Sequence, residues 1–125
     1  MLPLLLGISV GGVFGAIARY QLGRMIMNRW GQSFPLSTFI INISGSFLLC
    51  FLAGLLTAGA HIAPWLFAGM TTGFCGAYTT FSTYAYETIK LAEDGEKMTA
   101  LAYVLGSVLA GLAAGWLGFM LSGRL

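Results

Sequence analysis

The sequence predicts an all-α integral membrane protein: a single four-helix transmembrane domain over residues 1–125. Three observations predict it. Hydrophobic residues make up 58% of the 125-residue chain and charged residues only 8%, with mean hydropathy +0.85; soluble domains carry roughly 25% charged residues. Four apolar runs are each near the ~20 residues that cross ~30 Å of hydrocarbon. Between Trp30 and Tyr86 no residue has a formal charge, with His61 neutral.

Span one is read as about Leu2–Leu22. Its start resembles a secretory signal, but no Lys or Arg precedes the apolar run, and Gly7, Gly11, Gly12 and Gly15 interrupt it. It is therefore expected to be a retained helix. Span two covers about Leu36–Ala58, span three Pro64–Ile89 and span four Met98–Leu121. The connections are Gly23–Pro35, Gly59–Ala63 and Lys90–Lys97; the last holds most of the charge. Short loops make successive helices antiparallel neighbours. Loops one and three, with Arg19, then share a side holding five of the six Lys and Arg residues, against Arg124 opposite. The positive-inside rule places that side in the cytoplasm and both termini outside.

Glycines recur four apart on three spans: Gly7, Gly11 and Gly15; Gly69 and Gly73; Gly111 and Gly115. Such spacing lets helix backbones approach closely. It serves either packing within one subunit or a subunit interface. So small a unit has little room to enclose a pathway alone, which favours a dimer or larger assembly.

Several function classes are excluded by what is missing. The net charge of +2 is too small and too dispersed for nucleic acid. His61, the only histidine, has no carboxylate near it in sequence, and no hydrolase triad, HExxH or phosphate loop can be assembled. Cys50 and Cys75 lie in apolar segments and read as small packed side chains. An enzyme is not expected.

The chemistry concentrates in Thr71–Glu87, TTGFCGAYTTFSTYAYE. Six Ser and Thr hydroxyls at membrane depth survive only where protein or a water-filled path covers them. Gly73 and Gly76 precede Thr79, Thr80, Ser82 and Thr83, so a helix break is expected near Gly76–Thr80. A break exposes carbonyls, and carbonyls with hydroxyls suit a small hard cation. Phe81 and Tyr84 lie three apart on one face, and aromatic edges are electropositive toward an anion. Asn42, two turns into span two, either bonds a neighbouring helix or donates to a desolvated anion. Arg19 near the end of span one either snorkels to the interface or draws anions at a vestibule.

With these residues in hand, the run GAYTTFSTYAYET resembles the signature of the Fluc (CrcB-type) fluoride channels, and the likeness extends over the whole chain. The resemblance implies a passive fluoride-selective channel in the cell membrane. It implies a third helix broken mid-membrane and an antiparallel, dual-topology homodimer. Such a dimer has two fluoride pathways and a central structural sodium ion. It further implies a pathway of Asn42, Phe81, Tyr84, Thr83, Glu87, Tyr103 and Ser107, a vestibule at Arg19, and sodium held by the backbone carbonyls of Gly76 and Thr79. Tyr84 departs from the phenylalanine usual there, and Gly111 and Gly115 stand where relatives often carry hydroxyls. The alternative is a small dual-topology proton-coupled multidrug exporter, which would need a carboxylate that helix one lacks.

Overall fold

The computed structural model of the chain describes residues 1–31 and 34–123. Arg124, counted in the charge comparison, and Gln32 and Ser33 of the first connection lie outside the described residues.

The described chain is entirely helical apart from its connections. Helix α1 spans Leu2–Trp30 and α2 spans Leu36–Thr57. The stretch expected to be the third membrane crossing is a succession: α3 (Pro64–Ala68), a π-helical stretch (Gly69–Cys75), α4 (Gly76–Tyr78), two extended residues, then α5 (Phe81–Glu93). Helix α6 spans Lys97–Ser122. Helices α1, α2 and α6 are each long and apolar enough to cross a membrane.

Helix α1 corrects the first boundary. It continues past Leu22 through residues expected to be loop and ends only where Gly31 turns to φ 76° and donates to the Met27 carbonyl. Arg24 and Arg29 therefore ride on the helix. At ~1.5 Å per residue its 29 residues run about 43 Å, more than the hydrocarbon thickness, so the basic end reaches the interface. There Arg29 lies over the Trp30 ring, 5.4 Å from its centroid. Helix α5 likewise runs on through Lys90 to Glu93, leaving a tight turn at Gly95 (φ 86°) before α6.

Glycine determines the packing. An added Cβ at Gly7 would run into the Trp65 carbonyl, at Gly11 into the Gly69 carbonyl, and at Gly15 into the Phe74 carbonyl. In return, one at Gly73 would lie 2.5 Å from the Ile8 carbonyl. Residue numbers rise together along this contact, so α1 and the third crossing run parallel. A second parallel pair forms between α2 and α6: Gly115 fits against Cys50, Gly118 against the Phe47 carbonyl, and Gly54 against Ser122. The closest packing thus joins alternate crossings, and the glycine spacings are used inside one subunit. The lipid-like surface left over is extensive, with Leu5, Val13, Ile17, Leu109 and Leu112 all exposed.

The α1 contact yields the first test. Gly11→Ala should lower stability by about 1–3 kcal/mol through overpacking, whereas Gly12→Ala, whose Cβ would meet nothing nearer than 3.9 Å, should change little. Thermal unfolding of the two variants in detergent compares them directly.

Candidate functional site

The break falls at Thr79 and Thr80. Thr79 has ψ 160°, and Thr80 has φ −148° and ψ 120°, both extended. Gly73 and Gly76, expected to allow the break, are instead helical; Gly76 has φ −63° and ψ −37°. The extended residues are the β-branched ones, which favour that backbone. Gly73 is needed for the approach of α1.

Three local devices hold the break. Thr79 closes the upstream helix: its N–H and its Oγ1 both donate to the Cys75 carbonyl, at 3.0 and 2.9 Å. Thr80 opens the downstream one, its Oγ1 accepting from the Thr83 N–H at 3.3 Å and donating to Thr83 Oγ1 at 3.0 Å. Asn42 of α2 spans the gap. Its Oδ1 accepts the Thr80 N–H at 2.9 Å, and its Nδ2 donates to the Thr80 carbonyl at 3.0 Å.

These bonds have a consequence for the flanking carbonyls. In an unbroken helix the Gly76 carbonyl would receive the Thr80 N–H, and the Thr79 carbonyl the Thr83 N–H. Both donors are diverted, one to Asn42 and one to the Thr80 hydroxyl. Gly76 and Thr79 therefore present carbonyl oxygens without their helical partners. Oxygen donors of that kind fit a small hard cation. The Thr79 carbonyl receives one long contact, 3.4 Å, from Arg19 Nη1. Arg19 thus lies well inside α1 and reaches the break, because the helix continues for eleven residues beyond it.

A cavity of about 640 Å³ adjoins the break, with Asn42, Ser46, Thr71, Gly76, Thr79 and Phe81 on its walls. Phe81 is 79% exposed. Its ring centroid lies 6.0 Å from that of Tyr84, which in turn lies 5.1 Å from Tyr103. Phe34 completes the row with an edge-on contact to Tyr103 at 5.5 Å.

At the end of that row sits a carboxylate. Glu87 Oε2 accepts from the Tyr103 hydroxyl at 2.8 Å, and Oε1 from Thr38 Oγ1 at 3.0 Å. Tyr103 is fully buried and Thr38 nearly so. Glu87 also borders a second cavity, about 440 Å³, shared with Phe34, Ser37, Lys90 and Asp94. One turn beyond Tyr103 on α6, Ser107 Oγ is buried without a hydrogen-bond partner among the described residues. Gly111 and Gly115 face Ser46 and Cys50 of α2.

The sequence-derived residues accordingly gather in two groups. Asn42, Gly76, Thr79, Phe81 and Arg19 meet at the break; Tyr84, Glu87 and Tyr103 form a second cluster downstream. Thr83 connects with the first group through Thr80. Thr38 was missed, although it precedes Asn42 by four residues and so shares its helix face. Tyr78 was also missed.

The fold and site define a small multi-pass membrane protein built around an interrupted, hydroxyl-rich helix. Residues 6–119 match the family model described as CrcB-like protein, Camphor Resistance (CrcB). The chain belongs to the CrcB family. It is 45% identical over 122 residues to the fluoride-specific ion channel FluC 2 of Moorella thermoacetica, covering 94% of this chain and 95% of that protein. It is 42% identical to the fluoride-specific ion channel FluC of Acidobacterium capsulatum, covering 96% of each. A third relative, FluC 2 of Rhodococcus jostii, is 43% identical over 92% of this chain and 95% of its own length. These matches give no support to the multidrug-exporter alternative.

Removing the Asn42 side chain would strand the Thr80 N–H, whereas the Thr80 carbonyl still accepts the first helical bond of α5. Asn42→Ala should cost about 1–3 kcal/mol, one unsatisfied group's worth. Asn42→Asp, which keeps the acceptor, should lose less; chemical unfolding in detergent measures both.

Proposed function

We propose that the chain is a fluoride-selective passive channel that exports fluoride from the cytoplasm across the cell membrane. The observation that carries this reading is the Asn42-held break, which sets unpaired donors and acceptors apart within the membrane. Similarity to proteins named fluoride-specific ion channels supplies the ion.

An anion crossing here would exchange water for protein donors in steps. Asn42 uses one amide hydrogen on the Thr80 carbonyl and keeps the other. Ser107 Oγ has no hydrogen-bond partner among the described residues. The rings of Phe81 and Tyr84 offer their edges, and Tyr103 fixes the far end of the row. Thr83 and Glu87 line the same side of α5 and order the hydroxyls that face the path. The N-terminus of α5 adds a favourable field for negative charge. A negative-inside potential drives an anion outward by about 2.3 kcal/mol per 100 mV, so export needs no ATP.

The working unit is an antiparallel, dual-topology homodimer with two pathways. Support comes from the single subunit's surface: Phe81, Ser82 and Thr83 are exposed, and hydroxyls at this depth need cover other than lipid. A second copy packed on that face provides it. Arg19 serves the break, so the loop-side excess of basic residues is smaller than the raw count.

The residues also fit a structural sodium ion, held by the Gly76 and Thr79 carbonyls of both copies. When bound, that ion supplies positive charge that offsets converging carbonyl dipoles at the dimer centre. Arg19 adds a fixed cation beside the Thr79 carbonyl.

Two measurements test the reading. Liposomes holding the purified protein should release fluoride but retain chloride, and Phe81→Ile should slow fluoride release strongly. Release no faster than from empty vesicles would refute the channel. For topology, a cysteine placed at Asp94 should react with an impermeant maleimide in equal measure from both faces of the cell membrane; labelling from one face alone would refute the dual arrangement.

A further inference from the structure

Helix α2 contacts the break at three nearby positions, of which Asn42 is only the first. Two residues on, Ser44 Oγ lies 2.8 Å from the Tyr78 hydroxyl. Ser44 has one proton, and the Ile40 carbonyl lies 2.7 Å from its oxygen, with the Ile41 carbonyl at 3.1 Å. With that proton spent on α2's own backbone, the Tyr78 hydroxyl is the donor and Ser44 Oγ the acceptor. Tyr78 is the last helical residue before the break and is 7% exposed. Its ring stacks on Phe74 at 5.5 Å with 16° between planes. At the next position, Gly45 leaves the space: a Cβ there would collide with Thr79 Cγ2 and lie 3.3 Å from Tyr78 Cδ1.

We infer that Tyr78 and Ser44 are positioning residues whose hydrogen bond fixes the upstream side of the break, as Asn42 fixes its downstream side. The inference rests on the channel reading for its functional consequence. Asn42 ties α2 to Thr80. The Tyr78 bond ties α2 to Gly76–Tyr78 as well, and the Gly45 notch seats Thr79 directly against α2. Together they set where the Gly76 carbonyl points.

Hydrogen exchange and efflux decide the matter together. In detergent, Tyr78→Phe and Ser44→Ala should each speed amide exchange across residues 76–80 about three- to tenfold, as for one lost hydrogen bond. Because the two groups act as one bond, the double variant should exchange no faster than either single variant. Ser44→Thr keeps the hydroxyl and should match the parent. In liposomes, Tyr78→Phe and Ser44→Ala should release fluoride more slowly, and Ser44→Thr at the parental rate. Unchanged exchange in either single variant, or additive effects in the double, overturns the clasp. Faster exchange with parental efflux overturns its positioning role. A parent protein that passes no fluoride sinks the channel reading instead, and the exchange series still decides the clasp.

Discussion

The two hydrogen bonds between Asn42 and the Thr80 peptide are the constraint on which the rest of the structure depends. A helix cannot stop inside a bilayer unless its freed peptide groups find partners, since no water is there to supply them. One side-chain amide bonds both backbone groups of a single residue, because an amide has a donor and an acceptor side by side. A carboxylate on α2 could accept the Thr80 N–H but could not donate to its carbonyl. The same bonds divert the N–H that would have closed on Gly76, so its carbonyl without a helical partner is a direct result of how the break is stabilised.

Backbone contact makes this arrangement rigid. Apolar side chains gain little by associating in lipid, so close packing carries the load. Gly7, Gly11 and Gly15 bring the backbone of α1 against the third crossing just upstream of the break, where that crossing widens into a π-helix. Gly54, Gly115 and Gly118 lock α2 to α6. The first pair holds the break's upstream arm; the second holds Asn42 and Tyr103 in a fixed relation. Arg19 and Glu87 are the two charged groups drawn into the site, and each is tied to it by hydrogen bonds, Arg19 to the Thr79 carbonyl and Glu87 to Thr38 and Tyr103.

Much of this was legible in the sequence, for identifiable reasons. Hydropathy marks spans because a bilayer imposes length, and the hydroxyl run of Thr71–Glu87 stands out because lipid rejects it. Asn42 stands out for the same reason. What the sequence concealed was decided by long-range fit. The extension of α1 to Trp30 follows from the absence of any break signal before Gly31, but hydropathy falls earlier and masks it. The break expected near Gly76–Thr80 falls at the threonine end of that range, because the glycines stay helical and Thr80 is held by Asn42. Thr38 and Tyr78 read as ordinary helix residues until the partners at Glu87 and Ser44 are seen.

One break also separates two kinds of electrostatic environment. The arm ending at Tyr78 terminates in carbonyls and the negative end of a helix dipole; the arm starting at Phe81 begins in N–H groups and the positive end. Two extended residues, Thr79 and Thr80, are all that lie between them. A cation is therefore favoured on the upstream side and an anion on the downstream side, without a single charged side chain in the break itself. Arg19 sits with the carbonyls, where a cation is tolerated, and the aromatic row of Phe81, Tyr84 and Tyr103 extends from the N–H side, where an anion is. The polarity of the site thus follows from chain direction rather than from charged side chains.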